Sequence, residues 1–268
     1  MKRAFFCALL GVCACSEPAD RPETISVCET GGCQSAGTGA QGYEPSGSGS
    51  TSTTGGTDTG QGITLRGNVL VFVDDLFIGI ETWPDGATIL APGSEEAVVE
   101  GEFSNGDYSV QKVEKRSSAW VMVQPSDTDL ISPLPVMQPL NTLVDDSYDL
   151  FMVNLEVLEE MYLGLAVQTS IAPNQAQVVL RIVDTNAEPI PGIAIQTTEG
   201  EFVAYYDGTS WSDQSSATDD TGLVLIGNVV APDYPGRGIQ IVVEGAEDQN
   251  FSVDVAAGAV TLKELDVE

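Results

Sequence analysis

The chain has 268 residues, in which 40 aspartates and glutamates face 10 lysines and arginines, so its formal net charge at pH 7 is −30. A surface of that charge repels phosphate backbones, which excludes nucleic acid as a partner, and it disfavours contact with anionic lipid headgroups. Histidine is absent, which excludes Ser-His-Asp and Cys-His catalysis as well as histidine-ligated metals.

The first fifteen residues have the pattern of an export signal. Lys2 and Arg3 precede an apolar run at residues 4–12, which is too short to cross a bilayer as a helix, and small Ala14 lies directly before Cys15. With a cysteine directly after the small residue, the segment resembles a bacterial lipoprotein signal, which is cut just before a cysteine that then carries acyl chains. The resemblance implies that Cys15 is lipidated and anchors the protein to a membrane.

Two alternatives to this anchor remain open. Cys13 could carry the lipid, although branched Val12 would then lie at the cut, and the segment could be an ordinary secretory signal with accidental cysteines. Several acyl chains would hold the protein durably on its membrane. Serine at position 16, rather than aspartate, resembles lipoproteins that are sent to an outer membrane.

Residues 15–62 are predicted to form a disordered tether. Residues 34–62 are almost entirely Gly, Ser, Thr and Gln, so they have too little apolar surface to offset the entropy of ordering. Cys28 and Cys33 lie in this segment, and in an oxidising compartment we expect them to form a disulfide. The G-x-G-x-x-G match at residues 37–42 lacks the flanking strand and helix that a dinucleotide site requires.

The folded region is predicted to be mainly β, with two small antiparallel β-sandwich domains and one short helix. Short apolar runs separated by Gly, Asn and Asp turns predict the first sandwich at residues 63–125. Residues 126–177 are predicted to connect the two sandwiches, with an irregular, proline-rich start. In this connection a helix is predicted over residues 155–163, with Asn154 as its cap and Gly164 at its end.

Residues 178–268 are predicted to form the second sandwich. Val178, Leu180 and Ile182 alternate along the chain, a Pro-Ile-Pro-Gly turn follows, and residues 218–222 read Thr-Asp-Asp-Thr-Gly before an apolar strand. This order resembles carboxypeptidase regulatory-like domains, which have a transthyretin-like sandwich. The resemblance implies a binding or spacer module, although the inserted segment at residues 205–216 departs from the family pattern.

Three aromatic residues in that inserted segment are candidates for a ligand site. Tyr205, Tyr206 and Trp211 could form a platform for a sugar or a peptide. The alternative is that Tyr205 and Trp211 pack on the sandwich, and burial of Trp211 would rule the platform out.

Acidic residues supply weaker candidates for chemistry. Asp184, Asp219 and Asp220 are expected in loops of one domain and could bind calcium through their oxygens, although no dense ligand loop is present. Asp-Thr-Gly occurs at residues 58–60 and 220–222, but the first copy lies in the tether and the second is explained by a tight turn. No catalytic residue, cofactor or other metal site is predicted.

The sequence thus predicts a lipid-anchored, noncatalytic envelope protein that acts as an interaction or structural module on a flexible tether. The expected partners are the membrane, through the anchor, and an envelope protein or glycan. Two alternatives are a carbohydrate- or peptide-binding surface protein and, less favoured, a carboxylate-dependent hydrolase.

Overall fold

A computed structural model describes residues 62–94, 96–127, 132–143, 147–244 and 249–267. Within these ranges the chain is mainly β with one helix, which confirms the predicted fold class. The elements are β1 (Ile63–Phe72), β2 (Ile80–Thr82), β3 (Ala87–Ala91), β4 (Val99–Ser104), β5 (Asp107–Val113), β6 (Ala119–Pro125), β7 (Val136–Leu140), β8 (Leu150–Val153), α1 (Leu155–Leu163), β9 (Ala176–Val183), β10 (Ile195–Gln196), β11 (Phe202–Tyr206), β12 (Trp211–Ser212), β13 (Leu223–Val229), β14 (Arg237–Val243), β15 (Gln249–Val255) and β16 (Val260–Asp266). In the described part of the chain, no helix has the length and apolar character needed to cross a bilayer.

The strands form two sheets. The larger sheet runs in the order β12-β11-β13-β9-β16-β7-β6-β3-β4-β5-β1-β2, with β8 paired to β1, and the smaller sheet is β10-β14-β15. Most neighbours are antiparallel, as predicted, whereas β1–β8, β7–β16 and β9–β16 are parallel. The larger sheet is therefore mixed.

Strand β16 connects the two predicted sandwich domains. Val260 pairs with Gln177 of β9 on one side and with Val136 of β7 on the other, and the Val260 N–H donates to the carbonyl of Pro135 at 2.8 Å. The predicted boundaries near residues 125 and 177 thus do not separate the sheets, because strands from both sides hydrogen-bond to each other. The described residues all belong to one compact unit.

Successive residues of β9 and β13 enter two different cores. Leu180 and Ile226 pack against strands of the smaller sheet, while Val179 and Leu225 pack into the core that contains β1, β3, β6, β8 and α1. Side chains of a strand alternate between faces, so both faces of this part of the sheet are buried. Such strands read as continuous apolar runs, as residues 223–226 do.

Helix α1 has the predicted bounds but not the predicted capping bond. Asn154 is the N-cap residue, yet its side chain makes no capping hydrogen bond, and the Leu155 N–H donates instead to Ser132 Oγ at 3.2 Å. Gly164 follows the helix with φ of −85°, so its small size rather than a left-handed backbone is what matters there. A Cβ at Gly164 would lie 2.3 Å from the carbonyl oxygen of Trp211. This glycine allows the helix end to approach β12.

The shared sheet predicts that residues 62–267 unfold in one cooperative transition. Ile89→Ala in β3 and Leu180→Ala in β9 remove fully buried side chains from the two cores, and each should lower the free energy of unfolding by about 2–5 kcal/mol. Both substitutions should shift the same transition in urea, measured by circular dichroism and by tryptophan fluorescence. Leu163→Ala, at a side chain that is 83% exposed, is the control and should change it by less than about 0.5 kcal/mol. Two transitions, of which each core substitution shifts only one, would show independent domains.

Candidate functional site

The predicted aromatic platform is wrong for two of its three residues. Trp211 is 1% exposed and Tyr205 is 4% exposed, so both belong to the interior, while Tyr206 is partly exposed. The Tyr205 hydroxyl accepts the N–H of Ile195 at 2.8 Å. The inserted segment is not a projecting loop, because it forms the hairpin of β11 and β12 at the end of the larger sheet.

Trp211 lies close to the C-terminal end of α1. Its indole Nε1 is buried and has no hydrogen-bond partner in the described part of the chain, and its ring meets that of Tyr206 edge-on at 5.9 Å. Burial raises the pKa of Tyr206, and the charges of Asp75, Asp219 and Asp207 act in the same direction. Tyr206 therefore lies within electrostatic range of three carboxylates.

The calcium candidates do not form a cluster. No group of three or more Cys, Asp or Glu side chains in the described ranges is placed to hold a metal ion. Asp184 accepts the N–H groups of Glu188 and Asn186, and these bonds hold its pKa below the usual value. Asp219 accepts the N–H and the hydroxyl of Thr221, at 3.0 and 2.5 Å.

The turn at residues 218–222 has the structural role that its sequence predicts. Gly222 has a φ of +70°, and a Cβ there would lie 2.5 Å from the carbonyl oxygen of Ile182. Thr218 Oγ1 donates to the carbonyl of Ile190 and accepts the N–H of Ile193. The second Asp-Thr-Gly triplet thus belongs to a turn that ties two loops together, and Asp220 is exposed beside it.

Cys15, Cys28 and Cys33 lie outside the described residues, as do the tether up to residue 61 and the first Asp-Thr-Gly triplet. The lipidation of Cys15 and the Cys28–Cys33 disulfide remain predictions.

One large cleft lies beneath α1. It has a volume of about 920 Å³ and is bounded by α1, residues 133–135, residues 169–177 and the start of β16. Its lining is rich in apolar side chains and prolines, among them Pro133, Leu134, Pro135, Leu158, Ile171 and Pro173. The carboxylates of Asp127 and Glu159 belong to exposed residues of the lining.

A buried polar network forms one wall of this cleft. Asn228, with φ of +53°, is its centre, because its side-chain oxygen accepts the N–H of Ala172 at 3.0 Å and the amide of Gln177 at 3.1 Å. Its side-chain nitrogen donates to Glu201 at 2.8 Å, and the Tyr162 hydroxyl donates to Gln177 Oε1 at 2.6 Å. Burial, and secondly the charge of Glu201, raises the pKa of Tyr162, so this phenol stays protonated.

The cleft can hold an apolar group beside hydroxyl and amide groups that already bond to one another. Volumes of about 300–1,000 Å³ with mostly apolar walls are typical of small-molecule sites. The polar groups of Tyr162 and Gln177 in this wall are uncharged, so this wall offers shape and apolar contact.

A second cleft, of about 650 Å³, lies between the β1–β8 region and the outer ends of β9 and β16. Its apolar lining includes Phe72, Leu76, Phe77, Ile78, Phe151 and Leu223. Two of its carboxylates have partners, since Asp149 accepts the side-chain amide of Asn68 at 2.8 Å and Glu264 pairs with Arg181 at 3.4 Å. These contacts hold both carboxylates in place at the edge of an apolar cleft.

The ring of Trp120 is already covered by one of the protein's own side chains. The ammonium of Lys263 lies 5.5 Å from the centre of the Trp120 ring and donates to the carbonyl of Ser252 at 3.0 Å. The Tyr234 hydroxyl donates to the Trp120 carbonyl at 3.1 Å. Burial lowers the pKa of Lys263. The cation on this face of Trp120 occupies the position that a ligand would need.

Comparison with known proteins assigns no family. No family model matches the chain, and the search of curated proteins finds no match. Among solved structures, a Streptococcal ancillary pilin is similar at 10% sequence identity and a TM-score of 0.20, over 74% of this chain and 67% of that chain. A likeness at that TM-score carries no argument about fold or function. The resemblance to regulatory-like domains therefore remains a prediction.

Sequence reasoning missed both the Asn228 network and the apolar loop at residues 76–80, which lies next to the second cleft. Asn228 gives no local signal, since its partners lie 27 to 66 residues away in the chain. The loop did offer one, because residues 76–80 read Leu-Phe-Ile-Gly-Ile directly after two aspartates.

Asn228→Ala should lower the free energy of unfolding by about 2–4 kcal/mol, because it leaves buried donors and acceptors without partners and places alanine at positive φ. Asn228→Gly tolerates the backbone angle and should recover only about 1 kcal/mol of that loss. Urea unfolding measures both variants. Asn186→Ala, at an exposed asparagine in the Asp184 turn, is the matched control. A loss for Asn228→Ala no larger than that of the control would show that the network does not stabilise the fold.

The carboxylate of Asp213 binds the backbone that directly follows α1, and its charge makes this contribution to stability depend on pH. Its two oxygens accept the N–H groups of Ala166 and Val167, each at 2.8 Å. Burial acts to raise the pKa of Asp213, but these two hydrogen bonds outweigh it and hold the pKa below the usual value. A lowered pKa contributes stability that is present above the unfolded-state value, about 3.9, and is lost as pH falls through the folded-state value.

Asp213→Asn should therefore destabilise the fold by about 1 kcal/mol near neutral pH, and the difference from the unsubstituted chain should shrink below about pH 4. Urea unfolding between pH 3 and pH 7 measures this difference. Asp220→Asn makes the same chemical change at an exposed aspartate and should leave stability unchanged. A loss for Asp213→Asn that is the same at every pH would contradict the role of the charge.

Proposed function

We propose that this protein is a lipid-anchored, noncatalytic protein of the cell envelope, held on the outer membrane by acyl chains on Cys15. Its folded part acts as an interaction or structural module, displayed beyond the membrane on residues 15–62. Its partners are the membrane, through the anchor, and an envelope protein or glycan.

The observation that best supports a binding role is the chemistry of the cleft beneath α1. Its walls are apolar side chains, prolines and the hydroxyl and amide groups of Tyr162 and Gln177, which already satisfy each other. Such a lining supplies contact area and shape. Acid–base chemistry requires titratable groups placed against a substrate, and the carboxylates of this lining, Asp127 and Glu159, belong to exposed residues.

Of the alternatives, peptide binding has the stronger support. A sugar platform built on Tyr205 and Trp211 is disfavoured because both side chains are buried. A carboxylate hydrolase is disfavoured at the second cleft, because Asn68 and Arg181 hold two of its carboxylates. The loop before β2 lies beside that cleft and exposes Ile78 and Ile80, which favours a protein or peptide partner.

The anchor is tested by acyl labelling of the exported chain in whole cells. Cys15→Ala should abolish incorporation of labelled palmitate, whereas Cys13→Ala should retain it, since the cut lies between Ala14 and Cys15. Mass spectrometry of the N-terminal peptide and membrane fractionation after a high-salt wash measure the outcome.

Label that persists in Cys15→Ala would move the anchor to Cys13. An unlabelled chain that is released to the soluble fraction in both variants and in the unsubstituted protein would show an ordinary secretory signal.

A further inference from the structure

The loop between β1 and β2 presents an unusual share of exposed apolar surface. Six large apolar side chains are exposed in the described part of the chain, and three of them lie between residues 73 and 80. Ile78 is 72% exposed and Ile80 is 51% exposed. We call Ile78 and Ile80 the apolar patch. Patches of this kind, rimmed by polar residues, mark interaction sites.

The loop that carries the patch is held rigidly. The Asp74 carboxylate accepts the N–H groups of Leu76 at 3.0 Å, of Ile78 at 3.1 Å and of Gly79. Phe77 has a φ of +58°, an unfavourable backbone angle for a bulky residue, which costs about 1–3 kcal/mol and persists only where the surroundings enforce it. Local strain of this kind concentrates at functional sites.

Phe77 connects the patch to the second cleft. Its ring packs edge-on against Phe72 at 5.3 Å, and Phe72 stacks on Phe151 at 4.6 Å. Ile78 lines the cleft, and Ile80 pairs across the strands with Phe72, so both side chains lie on the same face of the sheet. Ile78 therefore joins the apolar patch to the apolar part of the cleft lining.

Strand β2 also offers main-chain hydrogen bonds beside the patch. Among the described strands, β2 pairs with β1 alone and lies at the end of the larger sheet. The Gly79 carbonyl accepts the N–H of Val73, and main-chain groups alternate in direction along a strand, so those of Ile80 and Thr82 point away from β1. An extended segment can add to such an edge.

The chain that carries the patch is acidic, and the two cations that line the adjoining cleft already have partners, Arg181 with Glu264 and Lys263 with the carbonyl of Ser252. Residues 67–111 contain nine carboxylates and no lysine or arginine. Asp75 and Glu81 flank the patch in the chain, and Asp75 lies within electrostatic range of Tyr206, as do Asp207 and Asp219. A partner with basic side chains next to its apolar ones would be favoured here, and acidic partners would be repelled.

We propose that β2 and the apolar patch dock an extended segment of a protein partner in which apolar side chains alternate with lysine or arginine. The segment adds as a strand beside β2, its apolar side chains cover Ile78 and Ile80 and enter the cleft next to Phe72, and its basic side chains face Asp75 and Glu81. This inference rests on the proposed function of the folded part as an interaction module, and it names the chemistry of the partner.

The test is binding of a synthetic peptide to the purified full-length chain. The probe is fluorescein-labelled acetyl-Lys-Val-Lys-Ile-Lys-Val-amide, followed by fluorescence anisotropy at physiological ionic strength. We expect saturable binding that Ile78→Ser and Ile80→Ser each weaken at least tenfold, and that Glu81→Gln weakens at low salt more than at high salt. Both isoleucines are exposed, so these variants keep the fold, which circular dichroism checks.

Matched controls separate docking from general attraction to an acidic protein. Val230→Ser removes an equally exposed apolar side chain elsewhere, and Glu156→Gln removes an exposed carboxylate on α1; neither should change the affinity. The same peptide with glutamate in place of lysine, or with serine in place of its apolar residues, should bind at least tenfold more weakly.

Three results would overturn the proposal: binding that Ile78→Ser leaves unchanged, equal binding of the glutamate or serine peptides, and self-association of the chain that Ile78→Ser abolishes. The last result, measured by sedimentation, would assign the surface to a second copy of this chain. Each of these results would contradict the docking proposal without affecting the proposed acylation at Cys15 or the envelope location. Failure of acyl labelling would contradict the anchor without affecting the peptide result.

Discussion

The parallel pairing of β16 with β9 on one side and with β7 on the other is the constraint on which the fold depends. It makes one sheet out of strands that are far apart in the chain, and it closes both cores, since Val260 packs into the core beneath α1 while Leu265 packs against the smaller sheet. The start of β16 also bounds the cleft beneath α1. The pairing that joins the strands therefore also shapes the cleft beneath α1.

Local sequence signals predicted the elements whose causes are local. The helix at Leu155–Leu163 and the turn at Gly222 depend on residues a few positions apart, and both agree with the structure. Strand β7 was missed because Pro133, Pro135 and Pro139 indicate an irregular segment. Pro139 is tolerated there because β16 pairs with β7 only at Val136 and Met137, so the missing N–H of Pro139 lies beyond that pairing.

What the sequence could not supply was the identity of partners that are distant in the chain. Alternation in β9 shows that Leu180 is buried, but not that neighbouring Val179 enters a second core. Trp211 reads equally well as a surface aromatic or as a core residue, and only the fold shows that it packs into the core beside α1. Asn228 is the extreme case, since its contacts, with Tyr162 among them, become visible only when five segments meet.

Two parts of the molecule place polar and apolar groups in opposite ways. The contrast favours the proposed interaction role over catalysis. Around Asn228 the fold buries polar groups and satisfies them with one another, beside a cleft whose lining is mostly apolar. Around Ile78 it exposes apolar side chains and fixes them with the Asp74 hydrogen bonds against the unfavourable angle of Phe77. A strained loop that keeps apolar surface in water reduces stability. The proposed docking of a partner segment would offset this cost, because it would bury the apolar surface that folding alone leaves in water.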